Sequence, residues 1–134
     1  MTLGVSDLER AIAFYRGGLG WPKGGDEVTF FKTGGVAIAL FRRASFAADA
    51  GLDVDDVESG EFPRFSLAHN VAEEEQVDTV LADAAEAGAT IFKEAQEVFF
   101  GRHGFFADPD GFVWEIAWNP SFPMAANCSI ELPD

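Results

Sequence analysis

The sequence has little cysteine, little positive charge and no long apolar run. Its single cysteine, Cys128, cannot form an internal disulfide, so the fold is expected to depend on an ordinary packed core. No apolar run approaches the roughly 20 residues that cross a bilayer. The N-terminus also lacks the basic and then apolar segments of a signal peptide. These absences predict a cytoplasmic protein with no membrane partner.

Negative charge greatly exceeds positive charge. Nine Lys and Arg residues stand against 23 Asp and Glu residues, which gives a formal net charge of −14 at pH 7. Such a charge repels nucleic acid and anionic membrane surfaces and attracts cations, although it also simply keeps a protein soluble. With 134 residues, 48% of them hydrophobic, the chain has the size and composition of one globular domain.

The most informative stretch is FFADPDGFVWEIAW, residues 105–118. Asp108-Pro109-Asp110-Gly111 has the residues of a type I turn, and its aromatic and β-branched flanks predict two strands. Glu115 lies inside the second strand, where a carboxylate needs a partner, a proton or water. Alternation along this strand predicts two faces, one with Val113, Glu115 and Ala117, the other with Phe112, Trp114, Ile116 and Trp118.

The remaining chain predicts two helices and several strands. Ser6 and Glu9 match a capping box that starts a helix, and Gly17 and Gly18 can end it. A second helix is predicted over residues 73–87, where apolar residues recur at helical spacing. The predicted strands cover residues 2–5, 27–32, 36–41, 64–71 and 90–93, with Thr33-Gly34-Gly35 as a hairpin turn and 97–100 as an extension or a loop.

The two halves of the chain repeat one order of elements. Each has a strand, a helix ended by glycine, a short strand and a hairpin, which indicates two βαβββ modules. Module one covers about residues 1–43, a connection 44–62, module two about 63–118 and a tail 119–134. The predicted fold is therefore α+β, an open curved mixed sheet around a cavity with helices outside. The long connection is predicted to be a flap over a site or a mobile crossover.

Two segments resemble a known family. The sequence VSDLERAIAFY at 5–15, followed by Leu19 and Gly20, resembles the opening motif of the vicinal oxygen chelate superfamily. This superfamily includes glyoxalase I, extradiol dioxygenases and the fosfomycin- and bleomycin-resistance proteins. The sequence DPDGFVWE at 108–115 resembles its closing signature. The resemblance covers about residues 2–118 and implies the two-module fold. The likeness to bleomycin-resistance proteins further implies a homodimer that holds ligand between its subunits.

The same resemblance implies where metal ligands would lie. Metal-dependent members present four inward His or Glu side chains to a divalent metal. Matched to this chain, the last position is Glu115, two others fall at Ala39 and Ser66, and the first falls before Met1. Ala39 cannot bind metal and Ser66 is a poor ligand. The resemblance therefore implies an incomplete metal site in which Glu115 is the one strong ligand, with no assured cofactor.

The chain contains two histidines that could complete such a site. His69 lies an odd number of residues from Ser66, so strand alternation places it on the opposite face, toward the helices, unless a β-bulge intervenes. His103 precedes the strand predicted at 105–107 and is expected at the mouth of the cavity. There it would contact a ligand or be exposed.

The predicted cavity floor is lined by small and polar side chains around Glu115. That carboxylate would hydrogen-bond backbone or water, anchor a ligand, or act as a general acid or base, which makes it the candidate catalytic residue. The candidate ligand-binding residues are Glu115, Ser66, Ala68, Asn70, Ala39, Phe41, His103 and Phe106.

Three functional hypotheses follow. The preferred one is a small-molecule binding protein of the glyoxalase/bleomycin-resistance type that takes a cationic or aromatic ligand. The alternative is a metal-dependent lyase or dioxygenase in which His69 or His103, together with a histidine upstream of Met1, joins Glu115 on a divalent metal. The third is metal-free catalysis with Glu115 as the base.

Overall fold

The computed structural model describes residues 1–24, 29–32, 36–53 and 65–132. The hairpin turn predicted at 33–35, the first residues of the strand predicted from 27, and residues 54–64 around the end of the connection lie outside these ranges. The described strands are β1 (Thr2–Val5), β2 (Lys23–Gly24), β3 (Thr29–Lys32), β4 (Ala37–Arg42), β5 (Phe65–Asn70), β6 (Thr90–Val98), β7 (Gly101–Ala107) and β8 (Val113–Trp118). The described helices are α1 (Leu8–Ile12), α2 (Arg43–Asp49) and α3 (Glu75–Glu86).

The strands form one open, mixed sheet in the order β2-β3-β4-β1-β5-β8-β7-β6. In the first half β1 pairs in parallel with β4, and in the second half β5 pairs in parallel with β8. The two halves have mirrored strand orders, and they meet where β1 pairs antiparallel with β5. The predicted α+β fold, an open sheet with two βαβββ units, is confirmed.

The turn between β7 and β8 has the predicted chemistry. The Asp108 carbonyl accepts a hydrogen bond from the Gly111 amide at 2.9 Å, and Gly111 has a φ of 87°. Asp108 Oδ1 also accepts from the amides of Asp110 and Phe112, at 3.0 and 2.9 Å. These bonds fix the register of the hairpin. Alternation groups Phe112 with the large apolar side chains of this strand, but it lies in the turn before β8 and is 52% exposed.

Helix α1 begins one residue later than the capping box predicts. Asp7, not Ser6, is the N-cap, and its carboxylate accepts a hydrogen bond from the Arg10 amide at 3.0 Å. Ser6 instead accepts a hydrogen bond from the Arg10 side chain. The helical path continues in π-helical form over Ala13–Gly18. The observed α-helix is therefore shorter than the helix that the sequence pattern predicts.

Strand β6 is longer than predicted. The sequence suggested a short strand at 90–93 and a separate segment at 97–100, whereas one strand runs over Thr90–Val98. Its pairing with β7 shifts register between Ile91 and Lys93 and again between Lys93 and Gln96. These irregularities interrupt the apolar alternation that sequence reasoning relies on.

Helix α3 packs on the face of the sheet opposite to Glu115. Val77 and Leu81 are buried against Ile116 and Val71, with Val80 and Phe106 beside them. Full burial of each aliphatic side chain stabilises the fold by about 1.5–3 kcal/mol. The predicted helical apolar face at 73–87 is thus confirmed. Among the described residues no helix is long and apolar enough to cross a membrane.

A bidentate ion pair between Asp78 of α3 and Arg102 of β7 also links these two elements. Arg102 Nε and Nη2 donate to Asp78 Oδ2 and Oδ1 at 2.7 and 2.8 Å. These hydrogen bonds lower the pKa of Asp78 below its ordinary value of 3.8. The unfolded chain therefore binds more protons than the folded one between the two pKa values. The stabilisation is complete above pH 3.8 and disappears as the pH falls through the lower, folded pKa.

We expect Asp78→Asn to cost about 0.5–1 kcal/mol at pH 7, because the Asp78 side chain is 52% exposed and solvent screens the pair. Urea unfolding at pH 7, 5, 4 and 3 should show this difference shrinking at the acid end. Asp83→Asn, an exposed aspartate on the same helix, serves as the control and should show little change at any pH. A difference for Asp78→Asn that stays constant across the series would contradict the pair's contribution.

Helix α2 lies within the segment that sequence reasoning treated as an irregular connection. Phe46, Ala47 and Ala50 are buried and pack against Phe105 and Val113. Because Phe105 pairs directly with Glu115 across β7 and β8, α2 covers the Glu115 face of the sheet. The connection therefore contributes an ordered helix to the site, and this helix lies on the cavity face of the sheet.

Candidate functional site

Glu115 lies at the centre of the second module's sheet. On one side it pairs with Phe105 of β7 and on the other with Ala68 of β5. Residues in register share a face, so Ala68 and its neighbours Ser66 and Asn70 lie on the Glu115 face. Ser66 pairs with Thr2, which in turn pairs with Ala39. The sheet thus places residues of both modules on one surface.

This surface forms one wall of a cavity of 1480 Å³. Six of the candidate ligand-binding residues line it, namely Glu115, Ser66, Ala68, Asn70, Ala39 and Phe41. Aromatic residues line much of the remaining wall, including Phe30, Phe46, Phe99, Phe100 and Phe122. At its outer end Phe99 is 76% exposed, although it is a large apolar side chain.

His103 is enclosed rather than exposed at the cavity mouth. Strand β7 begins at Gly101, so His103 lies inside the sheet and its side chain has no solvent exposure. Its Nδ1 atom lies 3.0 Å from Glu115 Oε1. The rings of Phe100 and Phe105 meet the imidazole edge-to-face on either side. The partner that Glu115 requires is therefore His103.

Asp49 is the site residue that sequence reasoning missed. It is the last residue of α2, and its Oδ1 atom lies 3.9 Å from His103 Nε2. One side-chain ligand atom from each of Asp49, His103 and Glu115 lies within 4.8 Å of the other two. The signal available in the sequence was the spacing of Phe46, Ala47 and Ala50, which indicates a helical apolar face.

Burial and nearby charges set the electrostatics of Asp49. Burial raises the pKa of its carboxyl, and the negative charge of Glu115 raises it further. His103 and Lys93 oppose this shift by lowering the pKa of Asp49. Lys93 Nζ donates to the Asp49 carbonyl at 2.8 Å and lies 3.9 Å from its Oδ1. Lys93 therefore stabilises the C-terminus of α2 as well as its last side chain.

The end of α2 is held close to β6. Gly51 follows the helix with a φ of 75°, and a Cβ atom there would lie 2.8 Å from the Phe92 carbonyl oxygen. Only glycine tolerates both this backbone conformation and this approach. The close contact fixes where Asp49 meets His103.

Two other candidate residues lie away from this cluster. Phe106 alternates with Phe105, so it faces α3, where its ring stacks on Trp114 with centroids 6.4 Å apart. It does not line the cavity. His69 is exposed and pairs in register with Ile116, which packs against α3. His69 and Glu115 therefore lie on opposite faces of the sheet, as strand alternation predicts.

The positions at which the resemblance implies metal ligands do converge, but they lack donors. Ala39, Ser66 and Glu115 all line the same cavity. Ala39 offers only a methyl group. Ser66 is 1% exposed, and its hydroxyl oxygen has no hydrogen-bond partner among the described residues. One carboxylate of this set cannot hold a divalent metal by itself, so the residues present do not fit a metal at these positions.

Comparisons with known proteins agree with this fold. The model of the Glyoxalase/Bleomycin resistance protein/Dioxygenase superfamily matches residues 1–116. A glyoxalase-related enzyme from Fulvimarina pelagi is 31% identical, with a TM-score of 0.52 and coverage of 100% of this chain and 96% of that one. No curated protein matches the chain.

Two more distant structures show the same fold. A hypothetical protein from Bacillus halodurans is 16% identical with a TM-score of 0.66, over 88% of this chain and 90% of that one. A superfamily member from Vibrio splendidus is 14% identical with a TM-score of 0.56, over 88% and 95%. The two modules, the closing DPDG turn and these matches agree, and the chain belongs to the glyoxalase/bleomycin resistance protein/dioxygenase superfamily.

Proposed function

We propose that the protein binds a small organic ligand with an aromatic body and a positively charged group. The observation that carries this proposal is the combination of an aromatic-lined cavity with two carboxylates, Asp49 and Glu115, in its wall. Apolar walls with a few converging polar groups are typical of small-molecule sites. The 1480 Å³ volume exceeds that of most drug-sized sites and admits a polycyclic ligand.

Charge favours a cation over an anion. Asp49 and Glu115 face the ligand space, and the whole chain carries a net charge of −14. Aromatic faces add to this preference, because the π-system attracts a cation within about 6 Å of the ring centroid. Lys93 also lines the cavity, where its charge opposes that of Asp49 in part.

The alternative, a metal-dependent lyase or dioxygenase, has less support. The ligand positions implied by the family resemblance carry Ala39 and Ser66, and only Glu115 remains of that set. The observation in its favour is that one ligand atom from each of Asp49, His103 and Glu115 lies within 4.8 Å of the other two. A lyase or dioxygenase would also need a metal with open positions for substrate. Binding of a small organic ligand requires no metal.

Three probes of one shape but different charge test the proposal. We expect calorimetry at pH 7.5 in 0.3 M salt to show 9-aminoacridine, a cation, binding at least tenfold tighter than neutral acridine. Acridine-9-carboxylate, an anion, should bind most weakly. The salt screens the general attraction of an acidic surface, so the site itself decides the order. A chelator in every sample removes any metal contribution.

Matched variants locate the site. Asp49→Asn and Glu115→Gln should each weaken the cation at least fivefold, whereas Asp83→Asn and Glu86→Gln, both exposed on α3, should leave it unchanged. If the anion binds as tightly as the cation, or the α3 variants lose as much affinity as the cavity variants, the proposal is wrong.

A further inference from the structure

The guanidinium group of Arg43 is partly buried without an acceptor. Its Nε atom is buried and has no hydrogen-bond partner among the described residues. Arginine is always charged and only donates hydrogen bonds, so this group has lost part of its hydration with nothing in return. Two other buried side-chain atoms in the described part of the chain share this property, but they belong to Ser66 and His103, in the site already described. Arg43 therefore points to a second site.

Arg43 lines a separate pocket of 370 Å³. Among the residues that the structure describes, none lines both this pocket and the large cavity. The volume lies within the usual range of small-molecule sites, at its lower end. The charged, polar and aromatic residues of its wall are Ser6, Asp7, Arg10, Phe14, Tyr15 and Arg43. Two arginines in one small pocket are the group that requires a function.

Strand pairing brings these two arginines together. Strands β1 and β4 run in parallel, with Val5 opposite Arg42. Beyond this pair both chains leave the sheet at the same end and enter helices, so Ser6 and Arg43 follow side by side. The Ser6 hydroxyl accepts a hydrogen bond from Arg10 Nη2 at 3.0 Å, which holds the Arg10 side chain at this end of the sheet. The register thus places both side chains in one pocket.

The local charge of module one permits an anion although the whole chain is acidic. Residues 1–43 contain six of the nine Lys and Arg residues and four of the 23 Asp and Glu residues. Two guanidinium groups in the pocket wall outnumber the one carboxylate there, that of Asp7. Its Oδ1 atom accepts from the Arg10 amide. The pocket therefore favours a negative group, and Asp7 limits how much negative charge it takes.

We propose that this pocket binds the carboxylate of a small aromatic acid, with Arg10 and Arg43 holding the carboxylate. The planar guanidinium fork matches a carboxylate in two parallel hydrogen bonds, and such an anion compensates the buried charge of Arg43. Phe14 lines the same pocket and is 57% exposed although it is a large apolar side chain, so it offers a surface to the ring of the acid. Asp7 favours a singly charged carboxylate over a doubly charged phosphate.

This pocket goes beyond the cation site proposed for the large cavity. Because the two pockets have no lining residue in common, Asp49→Asn and Glu115→Gln should leave the binding of an aromatic acid unchanged. Any affinity for acridine-9-carboxylate that disappears in Arg43→Gln belongs to this pocket and not to the large cavity. The two proposals can therefore fail separately.

Three one-ring probes test the charge that the pocket selects. Calorimetry at pH 7.5 in low salt should show benzoate binding at least fivefold tighter than neutral benzamide and tighter than phenyl phosphate. Arg43→Gln should weaken benzoate at least fivefold. Arg42→Gln is the matched control, because it removes the same charge one residue away from an exposed side chain outside the pocket wall, and it should change the affinity less than twofold. Benzamide binding as tightly as benzoate, phenyl phosphate binding more tightly, or equal losses in the two variants would overturn the proposal.

Nitrogen NMR on the unaltered chain tests the contact even if Arg43→Gln folds poorly. We expect benzoate to shift the Nε–Hε resonance of Arg43, because the guanidinium charge is delocalised over its three nitrogens. The resonance of Arg102 should stay in place, since its Nε atom already donates to Asp78. An Arg43 resonance that does not move under excess benzoate, or one that moves no more than that of Arg102, would contradict the proposed site.

Discussion

Replacing Gly104 with valine is expected to cost about 3 kcal/mol of unfolding free energy, the upper end of the usual cost of overpacking, or to prevent folding. A Cβ atom at Gly104 would overlap Leu81 Cδ1 and lie 2.8 Å from the Lys93 carbonyl oxygen. Helix α3 packs closely over β7 because this position has no side chain. The backbone of β6 on the other side cannot move without breaking its pairing. Urea unfolding followed by circular dichroism measures the effect.

Gly17→Ala is the control for this prediction. An added Cβ atom at Gly17 would meet nothing within 4 Å, and the residue lies in the helical segment Ala13–Gly18. Alanine there should leave stability unchanged or raise it by about 0.4–1 kcal/mol, because it reduces the freedom of the unfolded chain. A Gly104→Val protein as stable as Gly17→Ala would contradict the described contact between α3 and β7.

Replacing Phe46 with alanine is expected to cost about 3–4 kcal/mol, the range for emptying a buried aromatic position. Phe46 is 2% exposed and packs α2 onto Phe105 and Val113. The variant should also weaken 9-aminoacridine binding at Asp49 and Glu115, because Asp49 lies one turn further along α2. Urea unfolding and 9-aminoacridine calorimetry on the same sample separate the two effects.

Phe112→Ala supplies the comparison. Phe112 is 52% exposed in the turn before β8, so its loss should cost under about 1 kcal/mol and leave 9-aminoacridine affinity unchanged. Equal destabilisation by the two variants would show that α2 is not anchored through Phe46.

Local chemistry made most of the fold predictable. The Asp108–Gly111 turn, the apolar face of α3 and the repeated order of elements are short-range patterns, and each leads to the observed β7–β8 hairpin, helix and paired modules. Strand β6 was cut short in the prediction because its two register shifts break the alternation on which strand prediction depends. The N-cap was misplaced by one residue because Ser6 and Asp7 are both good capping residues.

The site was only partly predictable for a physical reason. Strand alternation correctly grouped Glu115 with Ser66, Ala68 and Asn70, because period-two geometry needs no tertiary information. The position of α2 over this face depends on tertiary packing, so the sequence could not place Asp49 next to His103. His103 was placed at the mouth because β7 was predicted to start at residue 105 instead of Gly101.

The open sheet leaves two edge strands, and both discourage self-association through backbone hydrogen bonds. Within the described residues strand β2 covers Lys23 and Gly24, which is too short to template another chain. Strand β6 is long, but its register shifts interrupt the row of free backbone groups, and it carries Lys93, Glu94 and Glu97. Bulges and charges of this kind prevent edge-to-edge aggregation. The irregularity that obscured β6 in the sequence thus helps to keep an unclosed, aromatic-rich sheet from forming fibrils.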